Sequence, residues 1–276
     1  MNRLVFLFLC ITLWANCGAA KGEGRKYLQP GDSVAVIPAG VTALPNYAFA
    51  DCKSLKRVVF VLPSKCVSIG DYAFLGCESL QEIELPNSLT KLGEGCFREC
   101  FSLKSLTIPV KVGVIPGFCF YGCTGLERIE LPRNLKDIKR LAFIYCYSLR
   151  DVAFPNTLTH IGNNAFTRCE SLTEAKVPDG VAELESYAFS DCISLKEAKL
   201  PANRKMLGEL IFSGCLNLER LIEPSPVPPT FDCKSFIFEP TDKEAYRRCQ
   251  LIVKPGKKTL YSRAHGWSLF ETIKEE

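Results

Sequence analysis

Hydrophobic and polar positions repeat along most of the chain with a period of 23 residues, lengthened to 25 at the first step. Counted from a proline at the start of each unit, a phenylalanine stands eleven residues on, a cysteine three residues later and a leucine three residues after that. The phenylalanines are Phe49, Phe74, Phe97, Phe120, Phe143, Phe166, Phe189 and Phe212, and the cysteines are Cys52, Cys77, Cys100, Cys123, Cys146, Cys169, Cys192 and Cys215. Each unit closes on an alternating apolar pair, such as Ile83 and Leu85, which predicts a short strand with every second side chain turned inward.

A single unit is too small to fold alone. It offers about nine inward positions worth roughly 1.5–3 kcal/mol each when fully buried, whereas ordering its residues costs roughly 1.5 kcal/mol apiece. Stacked neighbours cover both open faces of a unit, and the two ends then need caps. The pattern therefore predicts a β-rich solenoid of eight 23-residue coils stacked into a parallel sheet along one side, with N- and C-terminal caps.

The unit resembles the leucine-rich repeat of the BspA type. Residues 155–177 read PNTLTHIGNNAFTRCESLTEAKV, and that repeat has the pattern P-x-x-[VL]-x-x-I-x-x-x-A-F-x-x-C-x-x-L-x-x-[IV]-x-[IL]. Cys96 and Cys119 replace the usual alanine before phenylalanine, Arg204 takes an inward aliphatic position in the last unit, and Glu223 ends that unit's strand. The last unit is therefore expected to be the least regular.

The first 20 residues have the features of a secretory signal. Arg3 is followed by an apolar run from Leu4 to Trp14 and by small residues ending at Ala20, after which we expect cleavage. Roughly eleven apolar residues are too few for a membrane span, which needs about 20. Lipidation of Cys17 is the alternative. Both readings place the protein outside the cytoplasm, secreted or at the cell surface.

The remaining chain divides into three parts. Residues 21–37 are expected to form an N-terminal cap, residues 38–223 the eight repeats, and residues 224–276 a C-terminal cap that begins in a proline-rich run. The resemblance implies that this last part is a closing segment with a strand and a short helix. Its aromatic residues Tyr261, Trp267 and Phe270 would then cover the open core of the last coil.

The cysteines are numerous for reasons of packing. Equivalent residues in stacked coils lie about 4.8 Å apart and point the same way, whereas a disulfide needs Cβ atoms that converge to about 3.8 Å. The repeated cysteines are therefore expected to be buried thiols. Cys96 with Cys119, in adjacent copies of one position, and Cys233 with Cys249, in the tail, are the two pairs that remain open as disulfides. Zinc is disfavoured because no C-x-x-C motif occurs.

Charge and motifs argue against nucleic acid and against catalysis. The chain carries 34 basic and 30 acidic residues without a basic run, and nucleic-acid binding normally needs a clustered basic face. The histidines are His160, in a variable position of the repeat, and His265 in the tail. A Cys169–His160 nucleophile pair is disfavoured because Cys169 is the cysteine shared by all units. No cofactor or metal is implied, so an enzyme is the distant alternative.

Surface positions carry the remaining signals. The turns beside the repeated cysteine hold small or charged residues in most units, but the middle three units carry an apolar set that we name the aromatic patch: Phe101, Tyr121, Ile144, Tyr145 and Tyr147. Exposed aromatic clusters often mark interaction sites, although partial burial under a turn is equally ordinary. On the strands, Arg128 and Glu130 belong to a mixed-charge face and are a secondary candidate.

Two classes of function stay open from the sequence. The resemblance implies a bacterial secreted or surface protein, and several such proteins are implicated in adhesion to host matrix proteins or to other cells. The first class is therefore an extracellular protein-binding module of the adhesion type. The second is a structural or accessory envelope protein that assembles with a partner from its own cell. The oligomeric state stays open.

Overall fold

The coils of the chain stack one on the next, and the repeated phenylalanines follow the stacking axis. This computed structural model describes residues 23–28, 33–229 and 236–276. The predicted signal of residues 1–20, the alternative lipidation site at Cys17, and Cys233 lie outside the described residues. Within them the predicted parallel solenoid is confirmed, and helix is confined to short segments near the two ends.

The main sheet runs along one side, and all its pairings are parallel. Its strands are β1 (Val34–Ile37), β3 (Arg57–Phe60), β5 (Glu82–Ile83), β7 (Ser105–Thr107), β9 (Arg128–Glu130), β12 (Glu174–Lys176), β14 (Glu197–Lys199), β16 (Arg220–Glu223), β17 (Gln250–Val253) and β18 (Thr272–Glu275). The sheet is divided into β1-β3-β5, β7-β9 and β12-β14-β16-β17-β18. The coil between β9 and β12 contributes a single bridge, Arg128 to Asp151.

A second parallel sheet, which the sequence did not predict, lies on another side of the coils. Its strands come just before the repeated phenylalanines in the sequence. Its two-residue strands are β2 (Ala43–Leu44), β4 (Ser68–Ile69), β6 (Lys91–Leu92), β8 (Val114–Ile115), β10 (Asp137–Ile138), β11 (His160–Ile161), β13 (Glu183–Leu184) and β15 (Met206–Leu207). They form the groups β2-β4-β6 and β8-β10-β11-β13-β15. In most of these strands one residue is buried and the other faces outward, so each coil is held to its neighbours on two sides.

The eight phenylalanines form one continuous stack through the core. All are fully buried, and successive ring centroids lie 4.9 to 5.9 Å apart with nearly parallel planes. The widest step, 5.9 Å, is the last, between Phe189 and Phe212. Leu207 in β15 is also only half-buried, unlike its equivalents in the other coils. The last unit is thus the least regular, as the sequence predicted.

The turn around each phenylalanine is tied to the next coil by three main-chain hydrogen bonds. In the first coil the amides of Tyr47, Phe49 and Asp51 donate to carbonyl oxygens of the second coil at 2.8, 2.6 and 2.7 Å. The same three bonds recur at every step as far as Phe212. We name this set the turn ladder; it runs without interruption along the repeats.

The turn ladder forces an unusual backbone on every coil. The residues two before and two after each phenylalanine have positive φ, between 52° and 74°, and twelve of these sixteen positions carry a side chain. A left-handed residue with a side chain costs roughly 1–2 kcal/mol. These residues donate the outer two bonds of each step, and a typical hydrogen bond contributes about 0.5–1.5 kcal/mol. The neighbouring coil therefore offsets a strain that an isolated coil would not sustain.

The repeated cysteines also link neighbouring coils. From Cys77 to Cys215 each thiol donates to the carbonyl oxygen of the phenylalanine in the preceding coil, at 3.0 to 3.4 Å. All eight are buried and reduced, as predicted. Burial raises the pKa of the six thiols from Cys100 to Cys215, for example that of Cys123 to about 12. A cysteine fits this position because it is small, apolar and still a weak donor.

Both ends of the stack are covered. At the start, a 3-10 helix at Glu23–Tyr27 leads to an antiparallel bridge between Leu28 and Ala35 in β1. At the other end, α1 (Lys243–Arg248) and α2 (Lys258–Tyr261) flank β17, and β18 adds the outermost strand. The aromatic residues predicted to turn inward, Tyr261, Trp267 and Phe270, are buried. No helix within the described residues is long and apolar enough to cross a membrane.

The last coil contains a buried ion pair at the two positions where its sequence departs from the repeat. Arg204 Nη2 and Glu223 Oε2 lie 2.5 Å apart, with side chains 5% and 0% exposed. Arg204 Nη1 donates to the Pro201 carbonyl at 2.6 Å, and the Ser225 amide donates to Glu223 Oε1 at 2.8 Å. Burial raises the pKa of Glu223 even though Arg204 acts in the opposite direction. Among the described residues, Arg204 Nε has no acceptor.

Candidate interaction surface

Three tyrosines of the aromatic patch touch on the turn side of the fourth and fifth coils. The rings of Tyr121 and Tyr145 meet edge to face with centroids 5.5 Å apart, and those of Tyr145 and Tyr147 lie 6.0 Å apart. Tyr145 is one of the left-handed residues, with φ of 64°, so its place is set by the turn ladder. The prediction that neighbouring coils bring these rings together is confirmed for the tyrosines.

Arginines from adjacent coils lie against the tyrosine rings. The Arg98 guanidinium is 4.5 Å from the centroid of Tyr121, and that of Arg168 is 6.0 Å from the centroid of Tyr145. Arg98 also pairs with Glu99 at 3.1 Å, and Arg168 pairs with Asp191 at 3.6 Å. The patch thus has an aromatic centre and a charged rim, which is the usual anatomy of a protein interface. These arginines were not predicted from the sequence, since they come from other coils.

Burial separates the five predicted residues into three groups. Phe101 and Tyr147 are exposed, by 40% and 37%, whereas Tyr121 and Tyr145 are half-buried. Ile144 is buried, with 6% of its surface exposed, so the prediction that it contributes to the surface is wrong. Its position directly follows the core phenylalanine. The most exposed residues of the patch are therefore Phe101 and Tyr147, and the Tyr147 ring contacts that of the half-buried Tyr145.

Two further exposed apolar residues share a repeat position with Phe101 and Tyr147. Ile193 and Leu216 also stand four residues after their phenylalanines and are 39% and 59% exposed. Neither residue was predicted as part of a surface site, although the repeat position itself was the available signal. They provide a natural comparison for the patch, because they have the same local geometry in other coils.

The secondary candidate lies on the strand face. Arg128 and Glu130 are both exposed on β9, and Thr107 on β7 donates its hydroxyl to Glu130 Oε2 at 2.8 Å. This face is polar and hydrogen-bonded within itself. It offers charges without the aromatic contact area of the turn side.

A groove at the N-terminal end of the main sheet was not predicted. It has a volume of about 380 Å³ and lies over β3 and β5, reaching Ser105 where the sheet is divided. Its lining includes Val59, Leu62 and Glu84. Leu62 is 75% exposed, the largest exposure among the described bulky apolar residues. The groove has room for a side chain of a partner.

Cys169 and His160, the pair considered for nucleophilic catalysis, each form hydrogen bonds with other residues. The Cys169 thiol donates to the Phe143 carbonyl at 3.4 Å. His160 Nδ1 lies 2.6 Å from Asp137 Oδ1, and His160 Nε2 lies 2.9 Å from Glu185 Oε1. Within the described ranges, no group of three or more His, Cys, Asp or Glu side chains is arranged to hold a metal ion.

The arrangement around His160 favours its protonated form. Both ring nitrogens lie within hydrogen-bond distance of carboxylates, and both can donate only when the ring is protonated. The hydrogen bond to Asp137 and a second to Glu185 raise the pKa of His160 above its ordinary 6.5, although burial acts against this. Burial alone would raise the pKa of Asp137, but the bonds from His160 and Lys139 outweigh it and lower that pKa.

His160→Gln is expected to destabilise the protein in a pH-dependent way. Because the folded pKa of His160 is raised, its contribution is fully present below the unfolded pKa and is lost as the pH rises through the folded pKa. The difference in unfolding free energy between the wild type and the variant should therefore be larger at about pH 5.5 than at about pH 8.5. Urea unfolding at both pH values measures it, and a difference that grew with pH would contradict the geometry.

Solved structures of bacterial leucine-rich repeat proteins are similar to this chain. The pneumococcal vaccine antigen PcpA is 20% identical with a TM-score of 0.57, covering 88% of this chain and 67% of PcpA. A leucine-rich cell surface protein from Faecalibacterium prausnitzii is 21% identical with a TM-score of 0.51, covering 88% of this chain and 79% of that protein. These two similarities establish the shared solenoid fold.

A leucine-rich repeat protein from Bacteroides ovatus is more similar in sequence. It is 29% identical with a TM-score of 0.50, and the match covers 70% of this chain and 61% of that protein. No curated protein matches the chain.

A family model covers most of the described coils. The model of the BspA type leucine-rich repeat region, built of six copies, matches residues 42–173 and 136–237, which together span more than two thirds of the chain. This range contains the phenylalanine stack, the cysteines that link the coils and the turn ladder. The scaffold is typical of surface and protein-interaction modules. The chain belongs to the family of proteins with BspA type leucine-rich repeats.

Proposed function

We propose that this protein is a non-enzymatic extracellular or cell-surface module that binds another protein through its aromatic patch. The observation that carries the proposal is the exposure of Phe101 and Tyr147, by 40% and 37%, together with the packed rings of Tyr121, Tyr145 and Tyr147. Aromatic side chains supply a large contact area at a small loss of conformational entropy, and they dominate binding energies where they cluster. The features of a secretory signal in residues 1–20 support an extracellular location.

The contact surface is pre-organised. Tyr145 is fixed by the turn ladder, and Tyr121 is held between the Arg98 guanidinium and the Tyr145 ring. A partner that covers the patch would therefore lose little further entropy in ordering these rings. The paired acids Glu99 and Asp191 at the rim leave the arginine charges largely balanced, which favours a neutral, partly aromatic contact over a strongly acidic one.

The variant Phe101→Ser/Tyr147→Ser is expected to weaken binding by about 10-fold or more, as the loss of interface anchors does. The midpoint of thermal unfolding should change little, because both side chains are exposed. Surface plasmon resonance against a panel of purified extracellular matrix proteins measures adhesion-type binding. A quantitative pull-down from the envelope fraction of the producing cell measures the alternative, an accessory protein that assembles with a partner of its own cell.

The matched control is Ile193→Ser/Leu216→Ser, which removes apolar side chains of the same repeat position outside the patch. It should leave binding intact. If both double variants lost binding equally, the contact would be the whole exposed apolar column. If neither lost it, the aromatic patch would be excluded, and Arg128→Ala/Glu130→Ala would test the strand face.

A further inference from the structure

We propose that Cys96 and Cys119 form a disulfide bond that joins the third and fourth coils. The two sulfur atoms lie 3.5 Å apart, and both residues are fully buried. In this structure both are thiols. The site is separate from the aromatic patch, and the proposal does not depend on the proposed function.

The two cysteines depart together from an otherwise uniform position of the repeat. The residue before the phenylalanine is alanine in five of the other six coils and isoleucine in the last: Ala48, Ala73, Ala142, Ala165, Ala188 and Ile211. A methyl group fills this position in the five coils that carry alanine. Two sulfur atoms therefore appear only where they face each other across one step of the stack.

These sulfurs differ from those of the repeated cysteines. Cys100 and Cys123 donate their thiols to the carbonyl oxygens of Phe74 and Phe97, at 3.3 and 3.0 Å. Each repeated thiol is thereby directed at the main chain of the preceding coil. The Cys96 sulfur instead has the Cys119 sulfur as its neighbour. This difference in direction favours the pairing of Cys96 with Cys119 over the pairing of Cys100 with Cys123.

The backbone holds the pair close to the required geometry. Hydrogen bonds of 2.9 Å from Gly95 to Gly117 and from Phe97 to Cys119 fix the two coils on either side of Cys96. Coils stacked at about 4.8 Å fall within the Cα separations of about 4.4–6.8 Å found for disulfides. The sulfurs must still approach from 3.5 Å to a bond of about 2.05 Å.

The bond would reinforce the step at which the second sheet is interrupted. Strands β6 and β8, which belong to the third and fourth coils, are not paired within that sheet. The same step keeps the pairing of β7 with β9 and the turn ladder. A covalent link between Cys96 and Cys119 would replace the missing connection.

The chemistry requires a disulfide-bearing oxidant such as oxidised glutathione. One thiolate attacks it, giving a mixed disulfide and one released glutathione, and the second thiol then displaces the other glutathione. Two protons and two electrons leave the protein in total. Burial raises the pKa of Cys119 in the folded chain, so the reaction belongs to the stage at which the coils assemble.

The test refolds the full chain from the reduced, unfolded state, once in a mixture of reduced and oxidised glutathione and once in excess reductant. Remaining thiols are then alkylated under denaturing conditions, and peptides are mapped without reduction. We expect a cross-linked peptide that joins Cys96 to Cys119 and lacks two hydrogens, with the repeated cysteines alkylated. The oxidised protein should unfold at a higher temperature than the reduced protein, because the bond restricts the unfolded chain.

Cys96→Ala and Cys119→Ala are the control variants, and alanine is the residue that most other coils carry there. Both should fold, and both should lose the cross-link and the redox-dependent shift in unfolding temperature. Peptide masses distinguish this bond from any bond at Cys233. Alkylation of both cysteines in the oxidised sample, glutathione left on either one, or a bond between repeated cysteines instead would overturn the proposal. Protein purified from an oxidising compartment gives the same readout without refolding.

Discussion

Phe143→Ala is expected to lower the free energy of unfolding by about 3–5 kcal/mol, the range for phenylalanine removed from a well-packed core. The ring is fully buried between Phe120 and Phe166, with centroids at 5.1 and 4.9 Å. Its loss leaves a cavity in the middle of the stack, which the neighbouring coils fill poorly because the turn ladder fixes their spacing. Urea unfolding measured by circular dichroism gives the value.

Phe143→Leu is the matched control. It keeps an apolar side chain in the same position and should cost distinctly less than the alanine variant. A melting temperature unchanged by Phe143→Ala would show that this column does not support the fold.

Glu223→Leu is expected to destabilise the protein by about 3–5 kcal/mol, because it leaves the buried charge of Arg204 without its partner. The two groups are 2.5 Å apart and almost completely buried. Arg204→Leu should have an effect of the same order, since it strands the Glu223 carboxylate. Unfolding in urea measures both variants against the wild type.

The double variant Arg204→Leu/Glu223→Leu tests whether the single variants lose stability because each leaves a buried charge without its partner. The other repeats carry apolar residues at both positions, for example Leu135 and Leu131. Replacing a buried ion pair by apolar residues is often neutral or stabilising by about 1–4 kcal/mol. The double variant should therefore recover most of the stability lost in either single one. Additive losses would mean that the two side chains act independently.

Much of the fold could be predicted because the repeat itself encodes it. The positions of Phe143 and Cys146 in the unit sufficed to place one in the core stack and the other in the line of buried thiols. In both cases one residue type has one physical role, repeated in every coil. The cap residues Trp267 and Phe270 lie outside the repeat, and their inward placement was what the resemblance to BspA type repeats implied.

The second sheet and the left-handed turns could not be predicted in the same way. A strand such as Ser68–Ile69 contains one outward and one buried residue, which is too short for a period of two to be recognised. Tyr72, Phe118 and Leu141 have positive φ, yet none of these residue types favours that conformation. Only the turn-ladder hydrogen bonds to the next coil explain the positive φ. These bonds are tertiary contacts, which the local sequence does not specify.

The surface was predicted in outline. Repeat position identified the aromatic patch, but it did not show that Ile144 turns inward or that Tyr121 is half-buried. Sequence distance from the core phenylalanine says which turn a residue belongs to, whereas burial depends on the size of the side chains in the adjoining coils. Ile193 and Leu216 were not predicted because each is the single large apolar residue among polar or small residues in its turn, whereas the patch residues come from three consecutive units.

The interruptions of the two sheets fall at different steps of the stack. The main sheet is divided between β5 and β7 and again before β12, where Phe154 takes a position held by smaller residues in most coils. The second sheet is divided between β6 and β8. At each of these steps the other sheet and the turn ladder continue. This staggered arrangement leaves no step between repeats without strand hydrogen bonds in at least one sheet. A force along the stacking axis therefore meets no step that is held by the turn ladder alone and at which the solenoid would separate.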